Sequence, residues 1–436
     1  MKYSFAAAAL VATVAADKRD LCADGSQDIG GNWYCQAVEA ITYTGMSGAG
    51  SYNKVTNMGA DGSCSTAPHA YSGSMCPLDE ELSMHFRGPI QLKSVAVYAP
   101  QSGSKARRSA HASKHAHHHA HGHNHKERAV GDMVTATIDG QVVSWVNQYA
   151  GPATPAAAPV AAAAAPPAGS ASSASSSASS KAVYVPSYTG PGWARTAYYN
   201  SSSHTAQGLV FLNNMGGAGS GVWDTTWGNS LSYASSDGTQ CASQAEVLND
   251  CEVPSGNEFS IFSDKPCSDG SCGYSRPGTV AHHGFGGANK AFFFEFEMPH
   301  DYAATGQNAD MPAVWLLNAQ IPRTAQYASC SCWSSGCGEL DLFEVLSPGD
   351  DRCKSTLHSN IAGGDSDYFQ RPVNQTMKAA VVFNGENIHI KKLDDSYTFG
   401  THMDTATINS ISQSTSTQNQ LTSLFSLIGA AGDSHA

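Results

Sequence analysis

Gly338-Glu339-Leu340-Asp341-Leu342-Phe343-Glu344-Val345-Leu346 reads as a single β-strand with its acids and its apolar residues sorted by face. Side chains alternate along a strand, so Glu339 and Asp341 share one face while Leu340 and Leu342 share the other. Glu344 has the wrong parity. One β-bulge between Asp341 and Glu344, with Phe343 or its neighbour taking up the kink, would return Glu344 to the acidic face. Three carboxyls would then point into one cleft. The bland alternative is an exposed acidic face or a cation site. Against it stand the leucines and valine on the other face, which imply a strand buried on one side, where clustered acids are costly unless they are used.

Outward from this strand, residues 182–436 hold short β-type runs and few amphipathic helical stretches. Gly208-Leu-Val-Phe-Leu212, Ala291-Phe-Phe-Phe-Glu-Phe-Glu-Met298 and Ala379-Ala-Val-Val-Phe383 are the clearest. An all-β fold is expected, with a C-terminal β-sandwich or jelly roll over 182–436. Residues 20–149 read as a small β-rich, disulfide-containing domain of their own. Leu82–Phe86 and Leu92–Tyr98 alternate apolar and polar positions, and Met133–Trp145 carries an Asp139-Gly140 hairpin signal. Between these runs, residues 101–128 form a basic insert laden with histidines from His111 to His125. Weak metal binding is open to this insert, but a solvated loop is the simpler reading, because a flexible tract lacks fixed ligand geometry. The Ala/Pro/Ser run 150–181 cannot bury a core and reads as a linker.

The first residues, Met1–Ala16, have the layout of a secretory signal peptide, and Lys18-Arg19 offers a dibasic processing site, so 1–19 is set apart from the fold and an extracellular or cell-wall location follows. Twelve cysteines in an exported chain favour disulfides. They fall into two even sets, Cys22 to Cys76 and Cys241 to Cys353, which suggests two separately stapled domains. With 24 basic and 36 acidic side chains the net charge is −12, which gives nucleic acid or anionic lipid no general attraction. Neither nucleic acid nor membrane is an expected partner, and no cofactor is expected. Asn200-Ser-Ser and Asn374-Gln-Thr are N-glycosylation sequons.

Glu339-Leu-Asp-Leu-Phe-Glu344 resembles the bulged Glu-x-Asp-x-x-Glu strand of glycoside hydrolase family 16. Phe294–Pro299 and Met311–Leu317 are similar to the family's two strands before the catalytic one, Thr356–Ser359 to the strand after it, and Val381–Ile390 to a later hairpin. Over most residues outside the histidine insert and the linker, the chain also resembles the fungal cell-wall TOS-like glycosidases, through Leu78–Ile90, Gly221-Val-Trp-Asp-Thr225, Cys272–Gly278 and His283–Gly287. The resemblance implies a retaining glycosidase with Glu339 as nucleophile, Asp341 as its helper and Glu344 as general acid/base. It implies cell-wall β-glucan as the polymer, cut at β-1,3 linkages. Trp315 and Trp333 are the candidate sugar platforms and His358 a candidate cleft residue. Each has a structural alternative: a core tryptophan for Trp315 and a satisfied histidine for His358. One departure from the family is Cys330–Cys337, directly before the carboxylate strand, which is placed to narrow the cleft. Two rival readings share the motif, a glucan transglycosylase and a non-catalytic glucan-binding wall protein.

Deleting residues 105–128 is expected to leave glucan turnover within about twofold, roughly 0.4 kcal/mol in barrier, as followed by reducing-sugar release. A much larger loss, reproduced by a chelator, would make the tract a working part.

Overall fold

The structure, a computed structural model, describes residues 26–101, the strands Met133–Ile138 and Gln141–Val146, residues 192–412 apart from 269, 362 and 365, and residues 422–426. The leader-like start, the histidine insert from 102 on and the linker 150–181 lie outside the described residues. The chain divides into two compact units, one built from residues up to 104 together with those from 190 on, the other from residues 105–189. In the smaller unit, Met133–Ile138 pairs antiparallel with Gln141–Val146, Ile138 opposite Gln141, which is the hairpin that Asp139-Gly140 signals.

The larger unit is an all-β sandwich. Its first sheet runs in the order β6 (Gly192–Asn200), β5 (Gln91–Pro100), β9 (Lys290–Glu297), β13 (Met377–Asn384), β14 (Asn387–Leu393), β1 (Ala40–Thr44) and β15 (Thr422–Ser426). The second sheet runs β7 (Leu209–Asn213), β8 (Glu258–Ser263), β4 (Leu82–Arg87), β10 (Ala313–Asn318), β11 (Glu339–Glu344) and β12 (Arg352–His358). Short strands extend both sheets at their edges. These neighbours pair antiparallel except β1 with β15, which run parallel.

The core lies between the sheets and follows strand parity. Leu82, Met84 and Phe86 of β4, Val314 and Leu316 of β10, and Leu340, Leu342 and Phe343 of β11 meet Val95 and Val97 of β5 and Phe292, Phe294 and Phe296 of β9 in one buried cluster. Each such side chain withdrawn from water contributes about 1.5–3 kcal/mol. The outer face of the first sheet is covered as well, with Phe293, Tyr98 and Val382 packing against Trp193, Phe399, and Ile408 of the helix Thr405–Ser412. Burial on both faces explains why β9 carries a continuous Phe292-Phe293-Phe294 run instead of an alternating one.

Two expectations need correction. Residues 20–149 do not form a separate domain, because β4 lies between β8 and β10 at the centre of the second sheet, and β5 lies between β6 and β9 in the first. The alternation in Leu82–Phe86 specifies a half-buried strand but not the partner it pairs with. The cysteines do not sort into two closed sets either. Cys64 is joined to Cys330 across 266 residues, while Cys267–Cys272 and Cys332–Cys337 are local loops. Cys35 is also disulfide-bonded. Cys76, Cys241, Cys251 and Cys353 are thiols. Burial pushes Cys353 up to about 12 and Cys76 up to about 11, so both act as small apolar fillers.

The strand order has a direct consequence. A fragment beginning at residue 182 lacks β1, β4 and β5 and is expected to show no cooperative thermal transition in near-UV circular dichroism. Full-length protein nicked within 150–181 is expected to keep a single transition, with both pieces eluting together. A cooperative melt from the isolated fragment would show that the interleaved strands are dispensable.

Candidate active site

The register of the second sheet builds the site. Between Asp341 and Glu344 the pairing shifts: Asp341 lies opposite Thr356 and Trp315, whereas Glu344 lies opposite Lys354 and Ala313. Leu342 has no register partner on β10, and both Leu342 and Phe343 turn into the core. The bulge read from the sequence is therefore present, with the neighbour of Phe343 as the extra residue. Glu339, Asp341 and Glu344 all line one pocket of about 260 Å³, together with Arg87, Glu258, Trp315, Tyr327, Trp333 and His358. Gly338, just before the strand, has φ +112°, and a Cβ there would come within 2.6 Å of Leu78 Cδ2, so glycine is required at the entry to β11.

Register also orders the floor of the pocket in rows. Glu258, Arg87, Ala313, Glu344 and Lys354 are successive neighbours across β8, β4, β10, β11 and β12. His85, Trp315, Asp341 and Thr356 form the next row. Arg87 Nη2 donates to Glu344 Oε1 at 3.3 Å, reaching over the small Ala313, and its Nε donates to the Met311 carbonyl.

Glu339 is clamped at both oxygens. The Tyr327 hydroxyl donates to Oε1 at 2.7 Å, and the Trp333 indole N–H donates to Oε2. Trp315 Nε1–H donates in turn to the Tyr327 hydroxyl at 3.0 Å. Both clamping residues come from the loop that precedes β11, which Cys332–Cys337 closes on itself and Cys64–Cys330 ties to the hairpin of β2 (Ser47–Met58) and β3 (Cys64–Ser74). The hairpin's Tyr52 packs with Trp315, Ile321 and both cysteines of the small loop, and its hydroxyl donates to Glu80 Oε2 at 2.8 Å. The cysteine insertion thus supplies Trp333, and the residues just before it supply Tyr327, to hold Glu339.

Burial raises Glu339 above the usual carboxylate range, and the Tyr327 and Trp333 hydrogen bonds oppose that shift by stabilising the anion. Burial, and then the neighbouring Glu344 carboxylate, push Asp341 up as well. His358 Nε2 lies 3.0 Å from Asp341 Oδ2, and this hydrogen bond raises the imidazole to about 9. Glu258 is raised by burial against the opposing pull of Arg87. Acids crowded in one low-dielectric pocket oppose one another's ionisation, which favours the protonated form of Asp341 beside His358.

All six site residues read from the sequence line the pocket. Trp315 is the exception in kind. It is 5% exposed, its ring stacks on His85 at 5.3 Å, and its N–H is spent on Tyr327. That leaves too little open face for a pyranose, so it serves as a buried brace. His85 is pushed down to about 3 by burial and stays neutral. Trp333, at 37% exposure, and Tyr327, at 43%, present the open aromatic surface on this side. Tyr327, Arg87 and Glu258 were missed by sequence reading. Arg87 and Glu258 lie at strand ends remote in sequence from β11, and only sheet register brings them near it. Elsewhere, Cys267, Cys272 and His283 converge as a set of potential metal donors, but the two sulfurs are joined in a disulfide and offer no thiolate.

If Tyr327 and Trp333 hold Glu339 ionised, removing either donor should raise its pKa further. Activity is lost as pH falls through that pKa, so the acid limb of the kcat/KM profile is expected to move to higher pH in Tyr327→Phe and Trp333→Phe. A limb unmoved in both variants would remove the clamp from the account.

The family described as cell wall protein YJL171C/Tos1 matches in two parts, its C-terminal region over residues 191–411 and its N-terminal region over residues 39–100. The chain is 44% identical over 420 residues to a protein of Arthroderma benhamiae named as a probable circularly permuted 1,3-beta-glucanase, covering 91% of this chain and 92% of that one. It is 42% identical over 429 residues to the Candida albicans probable circularly permuted 1,3-beta-glucanase TOS1, covering 87% and 91%. To the Saccharomyces cerevisiae protein of the same name it is 44% identical over 406 residues, covering 84% and 89%. No solved structure gives a match. The two matched stretches are the two that the sandwich interleaves, and with relatives alike over most of their length the chain belongs to the fungal cell wall protein YJL171C/Tos1 family.

Proposed function

We propose that this chain is a secreted cell-wall endo-β-1,3-glucanase that works by retaining double displacement. The observation that carries the reading is the bulge in β11, which sets Glu339 and Glu344 on one face of the pocket with Asp341 between them. The names of its relatives support the substrate. Their "circularly permuted" label also fits this chain, since strands from residues 40–100 complete sheets otherwise made from residues 192–426.

The groups divide the chemistry by their surroundings. Glu339, held by two donors, attacks the anomeric carbon while Glu344 delivers a proton to the leaving oxygen. A glycosyl ester forms on Glu339 and its charge disappears. Glu344 then takes a proton from water, which attacks the anomeric carbon and releases Glu339. Asp341, sharing a proton with His358, orients the carboxyls on either side of it along the strand. In a retaining enzyme the second carboxylate attacks the sugar directly, with no water between them.

Replacing Glu339 by Ala is expected to abolish turnover of laminarin and aryl β-glucosides alike, because no ester can form. Glu344→Ala is expected to spare the first step for aryl glycosides, and azide should restore the second, yielding the β-azide. Kinetics and product configuration decide: β-azide from Glu339→Ala, with Glu344→Ala inert, would exchange the two roles. Formation of the inverted sugar by the native protein, seen by NMR, would sink the double displacement.

A further inference from the structure

We propose that Asn374 carries an N-linked glycan whose first N-acetylglucosamine lies in a cavity beside it, and that Asn200, the other sequon, stays bare. The proposal goes beyond the hydrolase reading above and rests only on its secreted part.

The two sequons differ in where the fold puts the amide nitrogen that would bond to sugar. Asn200 ends β6, and its Nδ2 donates at 2.9 Å to Oγ of Ser94, its buried register partner on β5. Its Oδ1 accepts from the Ser202 hydroxyl at 2.9 Å and from the Ser203 N–H at 3.0 Å. Ser202 is the hydroxyl residue of the sequon, so the whole acceptor motif is folded onto itself at the end of the strand. A sugar on this nitrogen would have to displace Ser94 from the β5–β6 pair.

Asn374 lies in an exposed turn just before β13, and among the described residues its amide has no hydrogen-bond partner. It also lines a cavity of about 770 Å³, together with His300, Tyr302, Asp351, Gln370 and Gln375. That volume falls within the roughly 300–1,000 Å³ that small-molecule sites span. The walls are fixed. His300 Nδ1 lies 2.9 Å from Asp310 Oδ2 and its Nε2 3.0 Å from Asp351 Oδ1, and the Tyr302 ring stacks on the imidazole at 4.5 Å. Buried Arg371 donates to the carbonyls of Met298 and Pro299 at 2.9 and 2.6 Å, which ties the chain entering His300 to the chain entering Asn374.

A pyranose attached to Asn374 therefore starts inside a preformed cavity, with polar side chains for its hydroxyls and the Tyr302 ring for its C–H side. In the transfer, Asn374 Nδ2 bonds to the anomeric carbon of a lipid-diphosphate-linked oligosaccharide and loses a proton, and the lipid diphosphate leaves. The Thr376 hydroxyl completes the acceptor motif. No residue that lines this cavity also lines the carboxylate pocket.

The test uses full-length protein secreted from a yeast host and mapped by mass spectrometry. Glycan is expected on the peptide that holds Asn374 and not on the one that holds Asn200. Thr376→Ala is expected to remove it, and Asn200→Gln to leave it in place. Glycan on Asn200 of the secreted protein, or a bare Asn374, overturns the proposal. The cavity seat is read from the rate at which a peptide:N-glycosidase releases the glycan from native protein. Tyr302→Ala is expected to raise that rate about two- to tenfold, the worth of one aromatic contact, with equal release once both proteins are denatured and unchanged melting temperature. Equal native rates overturn the seat. Secreted protein with a bare Asn374 leaves the hydrolase reading standing, whereas protein that is neither exported nor glycosylated overturns the secreted reading and the proposal together.

Discussion

In β11 two consecutive residues, Leu342 and Phe343, turn into the sandwich core, and that departure from strict alternation is the constraint on which the cleft depends. A regular strand would send Glu344 to the side opposite Asp341, into the apolar layer, where an unpaired carboxylate costs several kcal/mol or more. The bulge removes that cost and at the same time brings the third acid to the pocket. Phe343 in turn packs on Phe296 of the facing sheet and on Phe369, so the core holds the bulge in place. The site and the core are thus two sides of one strand, and neither can be altered without the other.

Holding carboxyls in so small a pocket requires compensation, and the structure supplies it from different parts of the chain. Glu339 is satisfied by a loop, Asp341 by a histidine on β12, and Glu344 by an arginine on β4. The loop has little regular structure of its own. Its two disulfides restrict it, and the link across 266 residues lowers the entropy of the unfolded chain by roughly 5 kcal/mol in the loop-closure picture. Covalent closure here fixes the position of hydrogen-bond donors as well as stabilising the fold, which connects chain entropy to the ionisation of a reacting group.

Interleaving has a similar double effect. With β4 between β8 and β10, the arginine that meets Glu344 and the histidine that stacks on Trp315 both come from a strand far earlier in the sequence, Arg87 lying 257 residues before Glu344. The acidic strand and its counter-charge can be assembled only when both parts of the chain are folded together. The linker and insert separate the parts in sequence without separating them in the sandwich.

The sequence by itself determined the all-β class, the strand identities, the bulge and the three carboxylates, because each depends on local alternation: a period of two, one residue out of phase, and apolar residues opposite acids. It also located Trp333 and His358, which flank the strand in sequence. It could not determine which strands pair. Alternation in Leu82–Phe86 is equally satisfied in a small separate domain and at the centre of a large sheet, and the choice is made by the buried area that β8 and β10 offer. For the same reason Cys64 could not be matched to Cys330, nor Arg87 and Tyr327 to the carboxylates they serve. Trp315 shows the limit most plainly: its apolar neighbours announce burial, but only the tertiary structure, by stacking one face on His85 and directing the N–H to Tyr327, decided that it braces the site from beneath.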